Sequence, residues 1–331
     1  MNTSIKFWLN NARKIALPQS LLPALTAVAL SYGAEEFSWI AAVAAIIGVA
    51  FLHLGFNLLD DWFDYKEGSA QAREAVASEG FRGRMIKYPY LTSGEATHSD
   101  LLRAVIVFLL VAAGMGAIVI YVRGWAILYW VIAGLIFGES YSGAPLKLGF
   151  RGLGEFVIFI MFGPILMTGV YFSITGTLDA KIILLSVAVG LLVTNIVYSH
   201  SVLDSVPDKK MGKKTMAHLM GSGKGQIVLS AIISILPFLL VICGVIVGEL
   251  HIAYLAVLAV MPVSIWLVGS LNKFVNHIDV PLEPKKWMGP MGDFEKYKKA
   301  GIGWLLLRWL TARNIVMMFC TILIIVNLIF G

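Results

Sequence analysis

The sequence contains few cysteines and few charged residues. Only two cysteines occur, Cys243 and Cys320, and both lie in apolar runs, so no disulfide framework is predicted. Charged residues make up 14% of the chain, whereas a soluble domain usually carries about 25%. This scarcity of charge argues against a soluble protein of this length.

Long apolar runs take the place of charged residues. The chain of 331 residues is 58% hydrophobic, with a mean hydropathy of +0.81, and a helix needs about 20 apolar residues to cross a bilayer. The sequence predicts an all-α, polytopic transmembrane bundle that forms one domain over residues 1–331. No cleavable signal peptide is expected, because no small-residue cleavage site follows the first apolar run. About nine spans are predicted, at 17–34, 38–58, 101–121, 124–140, 153–175, 181–203, 226–248, 251–271 and 311–330.

The basic residues are concentrated in alternate connections between the predicted spans. The sequence pI is 9.2, but Lys and Arg cluster before span 1 and in the longer loops, while the opposite connections hold almost none. Such asymmetry is typical of cytoplasmic loops. We therefore expect an inner (cell) membrane protein with a cytoplasmic N-terminus and an external C-terminus. The positive charge indicates topology and contact with membrane lipids, and no nucleic-acid partner is expected.

Three predicted cytoplasmic segments are longer than a simple connection requires. The stretches 59–100 and 204–225 carry acidic motifs, and functional residues are common in such loops. The third, about 281–310, is predicted to form a loop and a short interfacial helix. Within it, Gly301–Arg308 has two interpretations: a segment in the headgroup plane anchored by Trp304 and Trp309, or an extension of the last span.

Four polar residues at the end of the second span share one helical face. Asn57, Asp60, Asp61 and Asp64 are spaced i, i+3, i+4 and i+7, which aligns them on a helix. Carboxylates one turn apart repel, and charge near a membrane is costly without compensation. The spacing therefore indicates a bound cation.

A second acidic pair follows the sixth span. Asp204 and Asp208 are four residues apart, and because Pro207 disfavours helix at Val206, we expect Asp208 to project from a turn. Mg²⁺ prefers oxygen ligands and often binds one or two carboxylates together with substrate phosphates. Solvated helix ends are the alternative for a single Asp but explain two clusters poorly. The predicted metal ligands are Asn57, Asp60, Asp61, Asp64, Asp204 and Asp208.

Several cations and histidines surround these acids in the sequence. A departing diphosphate requires positive charge, which Lys147, Lys209 or Lys213 could supply, although each also fits a topology role. His53 and His200 precede their acid clusters by one turn, so each either serves the site or is hydrogen-bonded within the bundle. Glu155 has two interpretations as well: a partner for Arg151 at i−4, or an acceptor contact.

Two motifs resemble those of a known family. The pattern Asn57-x-x-Asp60-Asp61-x-x-Asp64 resembles the first Asp-rich motif of UbiA-type prenyltransferases, nearest to the MenA-like branch that prenylates 1,4-dihydroxy-2-naphthoate. Asp204-x-x-x-Asp208, followed by Gly212-Lys-Lys-Thr, resembles the second motif. Tyr141–Pro164, and Arg13 ahead of Leu17-Pro18, are similar to the same branch. The resemblance extends over nearly the whole chain.

The resemblance implies a central cavity that opens near the cytoplasmic side, Mg²⁺ as cofactor, a polyprenyl diphosphate donor and an aromatic small-molecule acceptor. The implied reaction belongs to menaquinone-like quinone biosynthesis: diphosphate departs, and the resulting allylic cation alkylates the ring. Phe156, Phe159 or Tyr171 are expected to hold the cation or the tail. The implied catalytic residues are Asp61, Asp64, Asp204 and Asp208, and the implied substrate- or diphosphate-binding residues are Asn57, Asp60, Arg13, Tyr141, Lys147, Lys209 and Lys213.

The sequence also departs from the MenA-like pattern. Asp60 stands where that pattern usually has Asn, and Ser201 and Leu203 stand where it commonly has Asn and Arg. The acceptor therefore stays open between a naphthoate and 4-hydroxybenzoate, homogentisate or a lipid alcohol. A secondary transporter and a non-catalytic lipid-binding relative are the alternatives from other classes. Transporters place such acids near the bilayer midplane, whereas these lie at predicted cytoplasmic helix ends, which favours an enzyme.

Overall fold

The computed structural model describes residues 4–66, 88–143, 145–210, 212–278 and 283–331, without the side chains of Asp64 and Lys66. Throughout these ranges the regular structure is helical, apart from one isolated bridge between Arg151 and Lys214. The main helices of the described chain are α1 (Pro18–Ser31), α2 (Trp39–Lys66), α3 (His98–Arg123), α4 (Leu128–Ser142), α5 (Gly154–Thr175), α6 (Ala180–Leu203), α7 (Gly223–Ile246), α8 (Ile252–Val275) and α9 (Gly303–Phe330).

Seven of these helices, in the part of the chain that is described, are long and apolar enough to cross a membrane. The other two, α1 and α4, have 14 and 15 residues, fewer than the roughly 20 that a perpendicular span needs. The all-α membrane fold is therefore confirmed. Each predicted span corresponds to one of the main helices, while the number that cross the bilayer stays a prediction.

Two helices extend further than their predicted spans. Helix α2 continues to Lys66 and carries the first acid motif on its last turns. Helix α9 runs without interruption from Gly303 to Phe330, so Gly301–Arg308 leads into the last span and does not form a separate segment in the headgroup plane. Ahead of it lie a 3₁₀ turn, Lys286–Met288, and a short helix, Phe294–Lys299. These two elements match the predicted loop and short helix, whereas residues 279–282 lie outside the described ranges.

Helix α6 forms the centre of the bundle. In its most apolar stretch 61% of the residues are buried, against 17% in α3, and it packs on α5, α7 and α9. A helix that is apolar on all sides is stable when neighbours surround it. Because α6 ends directly before Asp204, this rigid central element positions the second acid motif.

A pair of glycines brings α5 and α6 into backbone contact. A Cβ atom on Gly163 would lie 2.5 Å from the carbonyl oxygen of Ser186 and 2.6 Å from the Cα of Gly190. Small residues of this kind allow helices in membranes to approach closely. The approach holds α5 against the helix that ends at Asp204.

Substitution of Gly163 by alanine is expected to push α5 away from α6 and lower the free energy of unfolding by about 1–3 kcal/mol, as overpacking does in other cores. Thermal stability followed by size-exclusion chromatography in detergent measures this change. Gly114→Ala in α3 is the matched control, because nothing lies within 4 Å of its Cβ position. Equal stability of the two variants would contradict the close contact.

Candidate active site

A cavity of about 620 Å³ lies between the helices that carry the two acid motifs. Along α2 its lining changes from apolar, at Val49 and Leu52, to polar, at Asn57 and Asp60. These residues span about 16 Å of helix, so the cavity is an apolar compartment that is charged at one end. The residues at its polar end include Arg13, Asn57, Asp60, His200, Lys213 and Thr215.

Arg13 is bound to the first acid motif. Its Nη2 donates to the Asn57 carbonyl oxygen at 3.1 Å and to Asp60 Oδ2 at 3.2 Å, and it also forms an ion pair with Asp61 Oδ1. The Asn57 amide in turn donates to the Ala12 carbonyl at 3.0 Å. Arg13 adopts the left-handed conformation with φ 59°, which turns the chain before α1 and directs the guanidinium toward α2.

Asp61 is the buried member of the motif, with 0% exposure. The phenol of Tyr90 donates to its Oδ2 at 3.0 Å. Burial and the nearby Asp61 carboxylate raise the pKa of Tyr90, so the phenol keeps its proton. Burial alone would lower the pKa of Arg13, but Asp61 and Asp60 outweigh it and raise that pKa. Asp61 therefore anchors a charged Arg13.

Asp60 is the member of the first motif whose carboxylate lines the cavity. Its side chain is 24% exposed, and its Oδ1 accepts a hydrogen bond of 2.6 Å from the hydroxyl of Ser142 at the end of α4. Asp61 is not among the lining residues that the structure describes. The side chain of Asp64 lies outside the described part of the chain.

The second motif begins where α6 ends. The short helix Ser205–Lys210 follows Asp204, so the expectation that Asp208 projects from a turn is wrong. Pro207 lies in the first turn of this helix, where the missing N–H would have had no helical partner. The Asp208 N–H donates to the Asp204 carbonyl at 2.9 Å, which keeps the two acids on adjacent turns.

Each acid of the second motif has a basic neighbour. His200 Nδ1 lies 3.5 Å from Asp204 Oδ2, and Lys213 Nζ lies 3.8 Å from Asp208 Oδ2. The side chains of Asp204 and Asp208 are nearly buried. His200 and Lys213 line the cavity, so they connect these acids to its polar end.

Glu155 holds the loop that follows the second motif. Its carboxylate accepts hydrogen bonds from the Met216 N–H at 3.2 and 3.3 Å. The expected pair with Arg151 does not form within the described structure, because the Arg151 guanidinium donates to the Pro145 carbonyl at 3.0 Å. Glu155 thus positions the loop after the second motif, which carries Lys213.

The donor atoms of the acid motifs suit a hard cation. Among the described side chains no group of three His, Cys, Asp or Glu residues is close enough to hold a metal ion. Asp208 Oδ2, however, is buried without a hydrogen-bond partner in the described structure, which is rare for a carboxylate. Asp60 presents a carboxylate to the cavity, whereas Asp204 and Asp208 are absent from its described lining and adjoin it through His200 and Lys213. Oxygen ligands are those that Mg²⁺ prefers. The residues present therefore fit Mg²⁺.

Not every predicted residue reaches the cavity. Lys213 and Tyr141 line it, whereas Lys209 and Lys147 are absent from the described lining. Lys209 is exposed on the short helix, and Lys147 adopts a left-handed conformation with φ 43° in the loop after α4. In the described lining, lysine and arginine side chains are represented by Arg13 and Lys213.

The aromatic residues of the cavity differ from those expected. Phe156 is 47% exposed, and Tyr171 donates to Asp179 Oδ2 at 2.6 Å, remote from the acid motifs. Neither they nor Phe159 belong to the described lining. Helical spacing could have identified Phe56 and Phe63, because they lie four residues before and three residues after Asp60 and therefore share its helical face. The aromatic residues that line the cavity are Phe56, Phe63, Tyr141, Phe162 and Trp309.

Seven of the described helices are long enough to cross a membrane, and the bundle encloses a largely apolar cavity with Arg13, Asp60 and Lys213 at its polar end, which defines an integral membrane protein with a charged site beside an apolar compartment. The chain belongs to the UbiA prenyltransferase family, whose model matches residues 20–276. It is therefore a prenyltransferase, and the resemblance found in the motifs is confirmed.

Curated relatives are similar over most of the chain. The 1,4-dihydroxy-2-naphthoate octaprenyltransferase of Haemophilus influenzae is 24% identical over 69% of this chain and 73% of its own length. The enzyme with the same name from Bacillus subtilis is 24% identical, over 71% and 72%. A 2-carboxy-1,4-naphthoquinone phytyltransferase of Synechocystis is also 24% identical, over 81% and 83%.

Solved structures confirm the fold. A digeranylgeranylglyceryl phosphate synthase superposes with a TM-score of 0.59 at 15% identity and covers 98% of both chains. A UbiA homolog from Archaeoglobus fulgidus bound to GPP and Mg²⁺ superposes with a TM-score of 0.54 at 19% identity, over 94% of this chain and 99% of that chain.

Proposed function

We propose that this protein transfers a polyprenyl group from a polyprenyl diphosphate to an aromatic hydroxy acid, with 1,4-dihydroxy-2-naphthoate as the first candidate, in menaquinone-like quinone biosynthesis. The observation that carries the proposal is the cavity, which joins a charged end between two acid motifs to an apolar compartment. The naphthoate is supported by the names of relatives at 24% identity over most of the chain. The Mg²⁺ is supported by the homolog bound to GPP and Mg²⁺.

The polar end of the cavity suits the diphosphate of the donor. Arg13 and Lys213 offer N–H donors there, and charge-assisted hydrogen bonds to phosphate oxygens are stronger than neutral ones. When bound, Mg²⁺ would neutralise the diphosphate and make it a better leaving group. Its proposed ligands come from Asn57, Asp60, Asp61, Asp64, Asp204 and Asp208.

The apolar compartment suits the isoprenoid tail and the reacting carbon. Val49 and Leu52 line it, as do Phe162 and Leu166, so water is largely excluded and side reactions of an allylic cation are suppressed. The rings of Phe56 and Phe63 lie along the same face of α2 as Asp60, and aromatic faces attract positive charge. These residues therefore stabilise positive charge where it develops during departure of the diphosphate.

On this proposal the polar end of the cavity faces the cytoplasm. The acid motifs lie on the side where basic residues are concentrated, and an excess of Lys and Arg marks cytoplasmic loops. A charged donor made in the cytoplasm would then reach Arg13 and Lys213 without crossing the bilayer.

The proposed function is tested with purified protein in lipid nanodiscs and a labelled prenyl diphosphate. We expect a prenylated product with 1,4-dihydroxy-2-naphthoate, little product with 4-hydroxybenzoate or homogentisate, and complete loss of product when EDTA removes Mg²⁺. Preference for another aromatic would correct the acceptor. Absence of any product, together with ion flux in liposomes, would favour the transporter.

A further inference from the structure

A histidine lines the cavity one turn deeper than the first acid motif. His53 precedes Asn57 by four residues on α2, so the two share a face and are separated by about 6 Å along the helix axis. It precedes Asp60 by about 10 Å on the same measure. His53 lines the cavity and lies edge-on to the ring of Phe162, with 5.7 Å between ring centroids. It is thus placed beyond the diphosphate end, toward the apolar compartment.

The hydrogen bond between Ser20 and His53 indicates the tautomer of this histidine. The hydroxyl oxygen of Ser20 lies 2.6 Å from His53 Nδ1, a distance typical of an O–H donor and short for an N–H donor. The Ser20 hydroxyl is also placed to donate to the Leu17 carbonyl oxygen, at the longer distance of 3.2 Å, but that carbonyl already accepts from the N–H groups of Ser20 and Leu21. The shorter contact favours donation by Ser20 to Nδ1, in which case a neutral ring carries its own proton on Nε2.

The Nε2–H group is available for a ligand. Within the described structure Nε2 makes no hydrogen bond, and the side-chain amide of Gln19, which also lines the cavity, makes none either. Two neutral donors beside an apolar wall suit an oxygen atom on an otherwise apolar molecule. The donor substrate offers no such atom at this depth, because its oxygens belong to the diphosphate and its tail is hydrocarbon.

The acceptor does offer an oxygen atom at the depth of His53. A reacting ring carbon must come within about 3–3.5 Å of the donor carbon that it attacks, which places the acceptor ring next to the diphosphate, at the depth of His53. We propose that His53, held by Ser20 in the Nε2–H tautomer, donates a hydrogen bond to the carboxylate of the acceptor and thereby selects aromatic acids over uncharged phenols. This inference rests on the proposed function and assigns a residue to acceptor selection.

The experiment measures binding alone, without donor or metal. The probes are 1-hydroxy-2-naphthoate and 1-naphthol, which differ only in the carboxylate, and isothermal titration calorimetry in nanodiscs gives their affinities after subtraction of empty discs. His53→Asn and His53→Gln form a matched pair. The asparagine amide reaches only to the position of Nδ1 and keeps the contact with Ser20, whereas the glutamine amide reaches to the position of Nε2.

We expect His53→Asn to weaken binding of 1-hydroxy-2-naphthoate at least tenfold, which is the size of a hydrogen bond to a charged group, and to change binding of 1-naphthol less than twofold. His53→Gln should stay within about threefold of wild type for both probes. Retained affinity for the acid in His53→Asn, or an equal loss for both probes, would overturn the inference.

The outcome is distinguishable from that of the proposed function. Carboxylate-dependent binding through His53 without prenyl transfer would leave the inference intact and refute the reaction. Prenyl transfer to a naphthoate, with unchanged binding of 1-hydroxy-2-naphthoate in His53→Asn, would support the reaction and refute the role of His53.

Discussion

Substitution of Asp204 by asparagine is expected to lower kcat/KM for prenyl transfer by about three orders of magnitude. The substitution keeps the size of a side chain that is only 4% exposed but removes its charge. Loss of one group that stabilises a developing charge typically costs about 10²–10³ in rate, and a weakened metal site adds to this. Asp208→Asn is expected to behave alike, because Asp208 lies one turn further and its Oδ2 is buried without a hydrogen-bond partner in the described structure.

Steady-state rates with labelled donor measure this effect, and Asp293→Asn serves as the control. Asp293 is an exposed acid in the segment before α9 and is absent from the described cavity lining, so its variant should retain wild-type rates. A second measurement, Mn²⁺ binding followed by electron paramagnetic resonance with a non-reactive diphosphate analogue, should show weaker binding in Asp204→Asn. Near-normal turnover with a monodisperse, helical protein would refute the assignment of Asp204 to the metal.

The second large effect is expected for Arg13→Ala, which should lower both turnover and stability. Turnover should fall by at least a hundredfold, since Arg13 is, with Lys213, one of the two Lys or Arg residues in the described part of the cavity lining. Asp61 would remain buried and would lose the guanidinium that neutralises it, while Tyr90 still donates to its Oδ2. Breaking a buried ion pair costs about 3–5 kcal/mol, but the Arg13 side chain is 36% exposed, so solvent screening reduces the expected loss to about 2 kcal/mol.

A double variant separates the two roles of Arg13. Arg13→Ala combined with Asp61→Asn removes both charges, so we expect most of the stability to return while turnover stays low. Thermal unfolding in detergent and rates in nanodiscs measure the two effects, and Lys14→Ala, at an exposed neighbour, is the control. Additive losses of stability in the double variant would show that Arg13 and Asp61 are not coupled.

The acid motifs could be found from the sequence because their signal is local. The four positions from Asn57 to Asp64 fall on one face of any helix, and their charge predicts a compensating cation whatever the fold. The cation that the structure places there is Arg13, 47 residues before Asp60 in the chain. The family resemblance implied a site role for Arg13. Helical periodicity did not, because the position of Arg13 depends on its left-handed backbone conformation ahead of α1.

The aromatic lining shows where local reasoning was insufficient. The resemblance predicts Phe156, Phe159 or Tyr171 at the cation or tail, yet Phe156 is exposed and none of the three belongs to the described cavity lining. Phe162 of the same helix does, within the π-helical turn Met161–Ile165. An inserted residue of this kind rotates the faces of a helix, and no periodicity calculation on the sequence anticipates it.

By itself the sequence determined that the chain is a helical membrane protein, that two acidic helix ends need a cation, and that the motifs resemble one enzyme family. These three conclusions follow from composition and from residue spacing within single helices, and neither depends on how the helices pack. The burial of Asp61 beneath Arg13, the contact of Glu155 with the second-motif loop, and the position of His53 in the cavity lining beside Ser20 required the tertiary structure. Each of these depends on the approach of helices distant in the chain, down to the backbone contact at Gly163, and such contacts are set by packing rather than by periodicity.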